Sequence, residues 1–419
     1  MNVQLELWNR RRFVTRTAMA SLLAGFSSRN TSATNSSASA RGLSQTKSKG
    51  LYAELGVRPL INAAGTYTML SGCTMLEEVV AAMQEASRQH VSILELQQAV
   101  GKRLSSLLGS ESAMVTAGCA AALTVATAAC VCGADSEKIR RAPESSGMKN
   151  EVIFQKSHRF GYDHAIRNVG VKIVEIESRQ ELEAAVNDKT AMLFFLNLAD
   201  AKGQIKRQEF VEIAKKAGIP SLIDAAADVP PAENLTAFIK MGFDLVAFSG
   251  GKGLRGPQCS GLLLGRHDLI QAGLLNGSPN SDTVARTAKV GKEEIVGLLT
   301  AVELYMKRDH RSEWQEWEQR VKYIADELNR IRTVQTERFV PEIANQVPHL
   351  AVKWDAKALR LSRESFEKEL REGEPRIETR PGITEEGRLE IGVWMLHPGE
   401  HQIVARRCAE VLKRAAQSA

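Results

Sequence analysis

The run Asp244-Leu245-Val246-Ala247-Phe248-Ser249-Gly250-Gly251-Lys252-Gly253-Leu254-Arg255-Gly256-Pro257 decides how this chain reads. Its apolar first part has the pattern of a buried strand, and the glycines that follow mark a tight loop. A lysine set between glycines at the end of such a strand is poorly placed for a solvated surface charge. It is well placed as a nucleophile, because a desolvated ammonium gives up its proton more readily and the free amine condenses with a carbonyl as a Schiff base. Upstream, Ser221-Leu222-Ile223-Asp224-Ala225-Ala226-Ala227 is a second strand-like run, ending in a carboxylate. An amine that captures an aldehyde and a carboxylate that holds a pyridinium nitrogen are the two groups pyridoxal 5'-phosphate (PLP) requires. Lys252 and Asp224 are therefore the candidate catalytic pair, with Asp228 a weaker competitor for the carboxylate role.

Working outward, short apolar runs alternate with helical patterns. Strands are expected at 113–116, 151–154, 171–176, 190–196, 219–224, 244–248 and 260–264. Helices are expected at 76–89, 93–108, 119–131, 179–187, 207–217 and 233–241. Alternation of this kind reads as an α/β large domain with a mostly parallel sheet covered on both faces. Strand 260–264 follows the lysine loop at once, so it is expected to pair antiparallel at one side of the sheet. The polar stretch 134–150 reads as a surface excursion. One long amphipathic stretch, 292–331, is expected to link this domain to a smaller C-terminal α+β domain. That domain carries strands at 349–354 and 388–394 and helices at 363–372 and 399–416. The expected division is a leader over 1–40, an N-terminal arm over 41–75, a cofactor-binding domain over 76–290, and the linking helix with the small domain over 291–419.

Further candidates lie where strands end. Ala113 to Ala122 reads as strand, turn and the start of an Ala-rich helix. Free amides at a helix N-terminus bind a phosphate dianion well, which nominates Gly118, Cys119 and Ala120, with Thr116 as a cap or hydroxyl donor. Ser249, three residues before Lys252, is a second phosphate contact. An aromatic ring is wanted against the pyridine face, and Ser157-His158-Arg159-Phe160-Gly161-Tyr162-Asp163-His164 offers His158 first, then Phe160, Tyr162 and His164. Arginine grips carboxylates in bidentate fashion. Arg255 and Arg380 are accordingly the candidate substrate-binding residues, with Arg388 an alternative to the latter.

Hydrophobic residues make up 43% and charged residues 25%, ordinary for a globular enzyme. The net charge is +6, but residues 1–40 hold five arginines against one glutamate, so +4 of it belongs to them and +2 to the rest. The body lacks the basic excess of a nucleic-acid binder, and nucleic acid is not an expected partner. The six cysteines are scattered without zinc-type spacing, so neither a metal site nor an obligatory disulfide is expected. Asn9-Arg10-Arg11-Arg12-Phe13-Val14-Thr15 has the form of a twin-arginine export motif. A modest apolar stretch and Ala38-Ser39-Ala40, an A-x-A-like cleavage site, follow it. That order predicts export, to the periplasm, by a route that carries folded proteins. The apolar stretch is too short to span a bilayer.

Four segments together, Asn62-Ala63-Ala64-Gly65-Thr66, the Thr116–Ala122 turn, Asp224-Ala225-Ala226 and Ser249 to Gln258, resemble the bacterial selenocysteine synthase (L-seryl-tRNA(Sec) selenium transferase) family. They resemble equally its shorter relatives of the D-glucosaminate-6-phosphate ammonia-lyase kind. The likeness covers roughly residues 51–400, and the lysine block is its specific part. It implies the aspartate-aminotransferase type of PLP fold (fold type I), with active sites shared in a homodimer or larger homo-oligomer. It also implies Lys252 as the Schiff-base lysine, Asp224 as the pyridinium partner, and Ser249 with the 118–120 amides around the phosphate. The expected chemistry is loss of the Cα proton from a small amino-acid-like substrate, then elimination or replacement at Cβ. Genuine selenium transfer to charged tRNA, or a non-catalytic protein keeping the fold, are the alternatives.

Overall fold

The computed structural model describes residues 50–418, so the expected export leader lies outside the described residues. The chain separates into a unit of residues 1–57 and a unit of residues 58–419. Of the first, the described part is one helical turn, Leu51–Glu54, none of whose residues is buried.

Residues 58–418 contain twelve described strands: β1 Leu60–Ala63, β2 Ser112–Thr116, β3 Glu151–Gln155, β4 Lys172–Ile176, β5 Thr190–Leu196, β6 Ser221–Asp224, β7 Leu245–Ser249, β8 Gly261–Gly265, β9 Val334–Phe339, β10 His349–Trp354, β11 Arg376–Thr379 and β12 Arg388–Gly392. Seven of them form the main sheet in the order β2-β8-β7-β6-β5-β3-β4. Strands β3 to β7 pair parallel, while β8 runs antiparallel to both β7 and β2. The antiparallel strand is thus second from the edge, with β2 outside it. The central strands are buried along their whole length, which explains their unbroken apolar reading.

Successive residues of one strand feed two separate cores, as the two-residue period of a strand requires. Phe195, Ile223, Val246 and Phe248 pack with helices Ile93–Leu108, Arg207–Ala217, Asn234–Met241 and Lys292–Lys307. Phe194, Leu222, Leu245 and Ala247 pack on the other face with helices Cys119–Cys132 and His267–Leu275. The stretch 134–150 is not wholly superficial. It holds the short helix Ser136–Arg141, and Ile139, Ala142 and Met148 join the second core.

The remaining strands make a three-stranded antiparallel sheet, β12-β10-β9, and a parallel pair, β1-β11. A third apolar core joins them to helices His310–Leu328, Arg363–Glu372 and Glu400–Ser418. The stretch 292–331 is two helices rather than one. Asp309 breaks it, and its side chain accepts the Arg311 and Ser312 N–H groups to cap the second helix. Among the described residues no helix is long and apolar enough to cross a membrane.

Candidate active site

Because β2 lies parallel to β6 and β7 across the antiparallel β8, the ends of all three point to one edge of the sheet. Ligands in open α/β sheets bind at that edge. A cavity of about 500 Å³ opens there, within the usual range for a small-molecule site. Gly118, Cys119 and Ala120 reach it from β2, Asp224 and Asp228 from β6, and Ser249, Gly251 and Lys252 from β7.

The turn after β2 is built to present backbone amides. Gly118 caps the helix Cys119–Cys132 at φ 93°, a conformation that favours glycine. The first intrahelical bond runs from Ala122 N–H to Gly118 O, so the amides before it have no helical partner. Thr116 does not face the cavity. Its Oγ1 donates to Gly118 O at 2.9 Å, which stiffens the turn from behind instead of contacting a ligand. Gly261 of β8 passes so close that a Cβ there would lie 2.4 Å from the Gly118 carbonyl carbon.

Asp224 is 6% exposed. Its Oδ1 accepts the Ala226 N–H at 2.9 Å and lies 3.7 Å from the Cys119 thiol. Burial pushes its carboxyl up, and the Ala226 N–H and the Lys252 ammonium oppose this only in part. The Cys119 thiol is also pushed well up, by burial and by the Asp224 charge. A buried carboxylate lacking full compensation fits a cationic ring nitrogen. Asp228, 2% exposed, is pushed up to about 6, first by burial and then by Asp224, against bonds from Asn197 and the Ala344 N–H.

Lys252 is pinned by its neighbours. Gly250 N–H donates to Ser260 O, Gly256 N–H to Gly250 O, and Arg255 N–H to Lys252 O. A Cβ on Gly253 would lie 2.0 Å from Val229 O, and one on Gly251 2.5 Å from Gln258 Cα. Close backbone approach, more than turn conformation, accounts for the glycines on both sides of the lysine.

The aromatic choice is corrected. His158 is fully buried in the core, not on the cavity. The Leu196 N–H donates to its Nδ1 at 3.1 Å, Gln155 Nε2 lies 3.1 Å from its Nε2, and Phe195 meets it edge-on. Burial holds it down at about 4, so the ring is neutral. Phe160 and Tyr162 line the cavity, with Phe160 stacked on Phe194.

Neither arginine candidate reaches this cavity. Arg380 pairs with Glu390 at 3.0 Å, and the alternative, Arg388, holds the other oxygen of the same carboxylate. Arg255, at φ 58°, turns away to Thr74 and a neighbouring pocket. Residues the sequence reading left out are Thr66, Thr68 and Gln258. The signal for Thr66 was Asn62, whose Oδ1 accepts the Ala64 and Gly65 N–H groups and whose Nδ2 donates to Gly65 O. Among the described residues no group of three His, Cys, Asp or Glu side chains is arranged to hold a metal. A larger, open hollow of about 670 Å³ lies along 281–288, but its one ionisable side chain is Asp282.

The donors at 118–120, the Ser249 hydroxyl, the buried Asp224 and the Lys252 amine are together the set PLP needs, and they fit that group.

A family model described as SelA, L-seryl-tRNA selenium transferase, matches residues 60–362. A 5'-C-glycyluridine monooxygenase-decarboxylase from a Streptomyces species is 32% identical over 86% of this chain and 92% of its own length. The D-glucosaminate-6-phosphate ammonia lyase of Salmonella typhimurium is 30% identical over 87% and 99%. A solved structure of D-glucosaminate-6-phosphate ammonia-lyase superposes with a TM-score of 0.77 at 29% identity, over 88% of this chain and all of that one. The chain spans 56% of the L-seryl-tRNA(Sec) selenium transferase of Hyphomonas neptunium, at 28% identity over 58% of its own length. A serine palmitoyltransferase of Sphingomonas wittichii, at 15% identity and TM-score 0.55 over 85% and 88%, shares the fold, that of the type I PLP enzymes.

Proposed function

We propose that this chain, which belongs to the SelA family, is a PLP-dependent enzyme that takes the α-proton from a small amino-acid-like substrate and eliminates or replaces a group at Cβ. The observation that carries this reading is the meeting of Lys252, Asp224 and the 118–120 amides, from three strand ends, in one cavity.

PLP, when bound, supplies an electron sink for the charge that develops at the substrate α-carbon. Lys252 Nζ would hold the cofactor's aldehyde end and, once free, would take the substrate's α-proton. Asp224, a buried carboxylate at the end of β6, would hold the proton of the ring nitrogen. The Gly118, Cys119 and Ala120 amides and the Ser249 hydroxyl hold the phosphate. Phe160 and Tyr162 supply aromatic surface and shield the site from water.

The names of the two relatives of near-full coverage each denote an amino acid on a sugar skeleton, glucosaminate phosphate and glycyluridine. Thr66, Thr68, Gln258 and Tyr162 offer hydroxyl and amide groups to such a chain. α-Amino acids with a polyhydroxylated or sugar substituent are therefore the substrate class. The test is a panel of these acids with PLP-loaded protein, reading keto-acid and ammonia release. Oxygen uptake with CO2 release would instead move the chemistry to the α-carboxylate and contradict reaction at Cβ. Selenium transfer predicts tight, salt-sensitive tRNA binding, and a gel-shift with seryl-tRNA separates it.

We propose also that residues 1–40 export the enzyme by the twin-arginine route. The support is the order of basic, apolar and small-residue segments. Replacing Arg10, Arg11 and Arg12 by lysine should leave the protein in the cytoplasmic fraction, and unchanged fractionation would refute this. We propose a homo-oligomer with shared sites, which sedimentation of the PLP-loaded protein tests. A fully active monomer contradicts it.

A further inference from the structure

Behind the lysine loop lies a second, smaller pocket of about 220 Å³. Lys252 faces the catalytic cavity, whereas Gly253 and Arg255 face this one. Its other walls come from the joint between helices Lys292–Lys307 and His310–Leu328 and from the segment 394–398.

The pocket is rich in hydrogen-bond donors that have no partner among the described residues. Arg308 Nη2, Tyr305 Oη and Trp394 Nε1 are all buried and all without a partner. Tyr305 is 1% exposed and Trp394 6%. Buried donors are very rarely left unpaired in folded proteins, so three around one hollow mark a place for an acceptor. Arg255 adds a fourth group. Its Nε and Nη2 are steadied by Thr74 O and Oγ1 at 3.1 and 3.3 Å, and among the described residues Nη1 makes no hydrogen bond.

The acidic groups here are mostly committed. Glu313 Oε1 accepts from Arg308 Nη1 at 3.2 Å, while its Oε2 is 3.6 Å from His310 Nδ1 without a hydrogen bond. Glu316 pairs with Arg320, whose Nη1 also donates to the Val393 and Leu396 carbonyls. Arg320 is thereby used to hold the 393–396 segment in place. Arg255 and Arg308 remain as two partly buried guanidinium groups facing one hollow, and the charge of Arg308 adds to burial in lowering Arg255. A guest oxyanion would relieve that repulsion and meet the orphaned N–H and O–H groups together.

We infer that this pocket is an oxyanion site, built from Arg255, Arg308, Tyr305 and Trp394 and separate from the catalytic cavity, that takes a carboxylate or phosphate monoester. The position explains why Arg255 follows Lys252 by three residues. The loop that offers the amine to the cavity offers a guanidinium to the pocket behind it.

The experiment is isothermal titration of the full-length, PLP-loaded protein with inorganic phosphate and, separately, with acetate. Saturable one-to-one binding of at least one is expected. Arg308→Gln and Arg255→Gln should each weaken it about tenfold or more, the scale of a lost charge-assisted bond. Trp394→Phe should weaken it by a smaller factor, and Arg308→Lys should restore part of the loss. These two variants keep the test open if either glutamine variant fails to fold. Stronger binding of phosphate assigns a phosphate monoester, and stronger binding of acetate assigns a carboxylate. No saturable binding of either anion, or binding that every variant leaves unchanged, would overturn the inference. Protein that does not retain PLP defeats the proposed function instead; on it the titration is read through the Arg255 and Arg308 variants, because the 118–120 amides then also offer phosphate a site.

Discussion

His158 and Asp228 show how two buried groups with similar sequence credentials part company. His158 accepts a backbone N–H in the core, so removing it strands the Leu196 donor. His158→Ala should destabilise the protein by about 1–3 kcal/mol yet leave the PLP absorbance spectrum unchanged; a shifted band with normal stability would restore the ring to the cofactor. Asp228 lies in the catalytic cavity and is pushed up to about 6. A raised carboxyl binds its proton more tightly folded than unfolded, so its contribution to stability falls as pH rises from about 4 to 6. Asp228→Asn removes that loss. Relative to wild type its unfolding free energy should gain up to about 3 kcal/mol across this window and stay level above it. Denaturant titrations at pH 4, 5, 6 and 7 measure the difference, and a flat difference would contradict the burial argument. His158, held at about 4, has the opposite sign. Its contribution is full above 6.5 and is lost as pH falls towards 4. The meeting of Lys252 and Asp224 in one cavity was legible because Asp224 closes β6 and Lys252 follows the end of β7 by three residues, and both apolar runs can be read locally. The aromatic and arginine partners were not. Whether His158 or Phe160 turns to the cavity depends on Leu196 and Phe194, far away in sequence, and Arg380 is claimed by Glu390, ten residues on in β12.

Helices 93–108 and 207–217 and strand 349–354 fall where hydrophobic period and capping residues place them. The unread elements have weak local signals. β9, with sequence Val-Gln-Thr-Glu-Arg-Phe, is largely exposed, and the pair β1-β11 joins segments more than three hundred residues apart. The break at Asp309 hid in one amphipathic pattern because both helices turn apolar faces inward. The element that matters most for chemistry is the turn at 116–120, and its geometry rests on Gly261 as much as on its own residues. Gly261→Ala should push the Gly118–Cys119 backbone off the cavity, destabilise the protein by about 1–3 kcal/mol and weaken PLP retention about tenfold or more. Fluorescence titration of the apo-protein with PLP measures this. Unchanged PLP affinity would mean that the amides at 118–120 do not hold the phosphate. Thr116→Val removes only the bond to Gly118 O, and the smaller loss expected, about 1 kcal/mol of stability, separates support of the turn from direct contact.

Across the whole molecule, one sheet edge collects an amine, two acids and a set of free amides, while the lysine loop divides the catalytic cavity from a cationic pocket. The chain belongs to the SelA family and superposes on a D-glucosaminate-6-phosphate ammonia-lyase structure over most of its length. The cavity walls that are not strand ends include 66–72, 160–162 and Gln258. At the centre stands Lys252, proposed above as the covalent link to PLP. Borohydride reduction of the PLP-loaded protein, followed by digestion and mass spectrometry, tests it most directly. A single pyridoxyl group on the peptide bearing Lys252, absent in Lys252→Ala, is the expected result. A pyridoxyl group on another lysine, or none on protein that retains PLP, would contradict it.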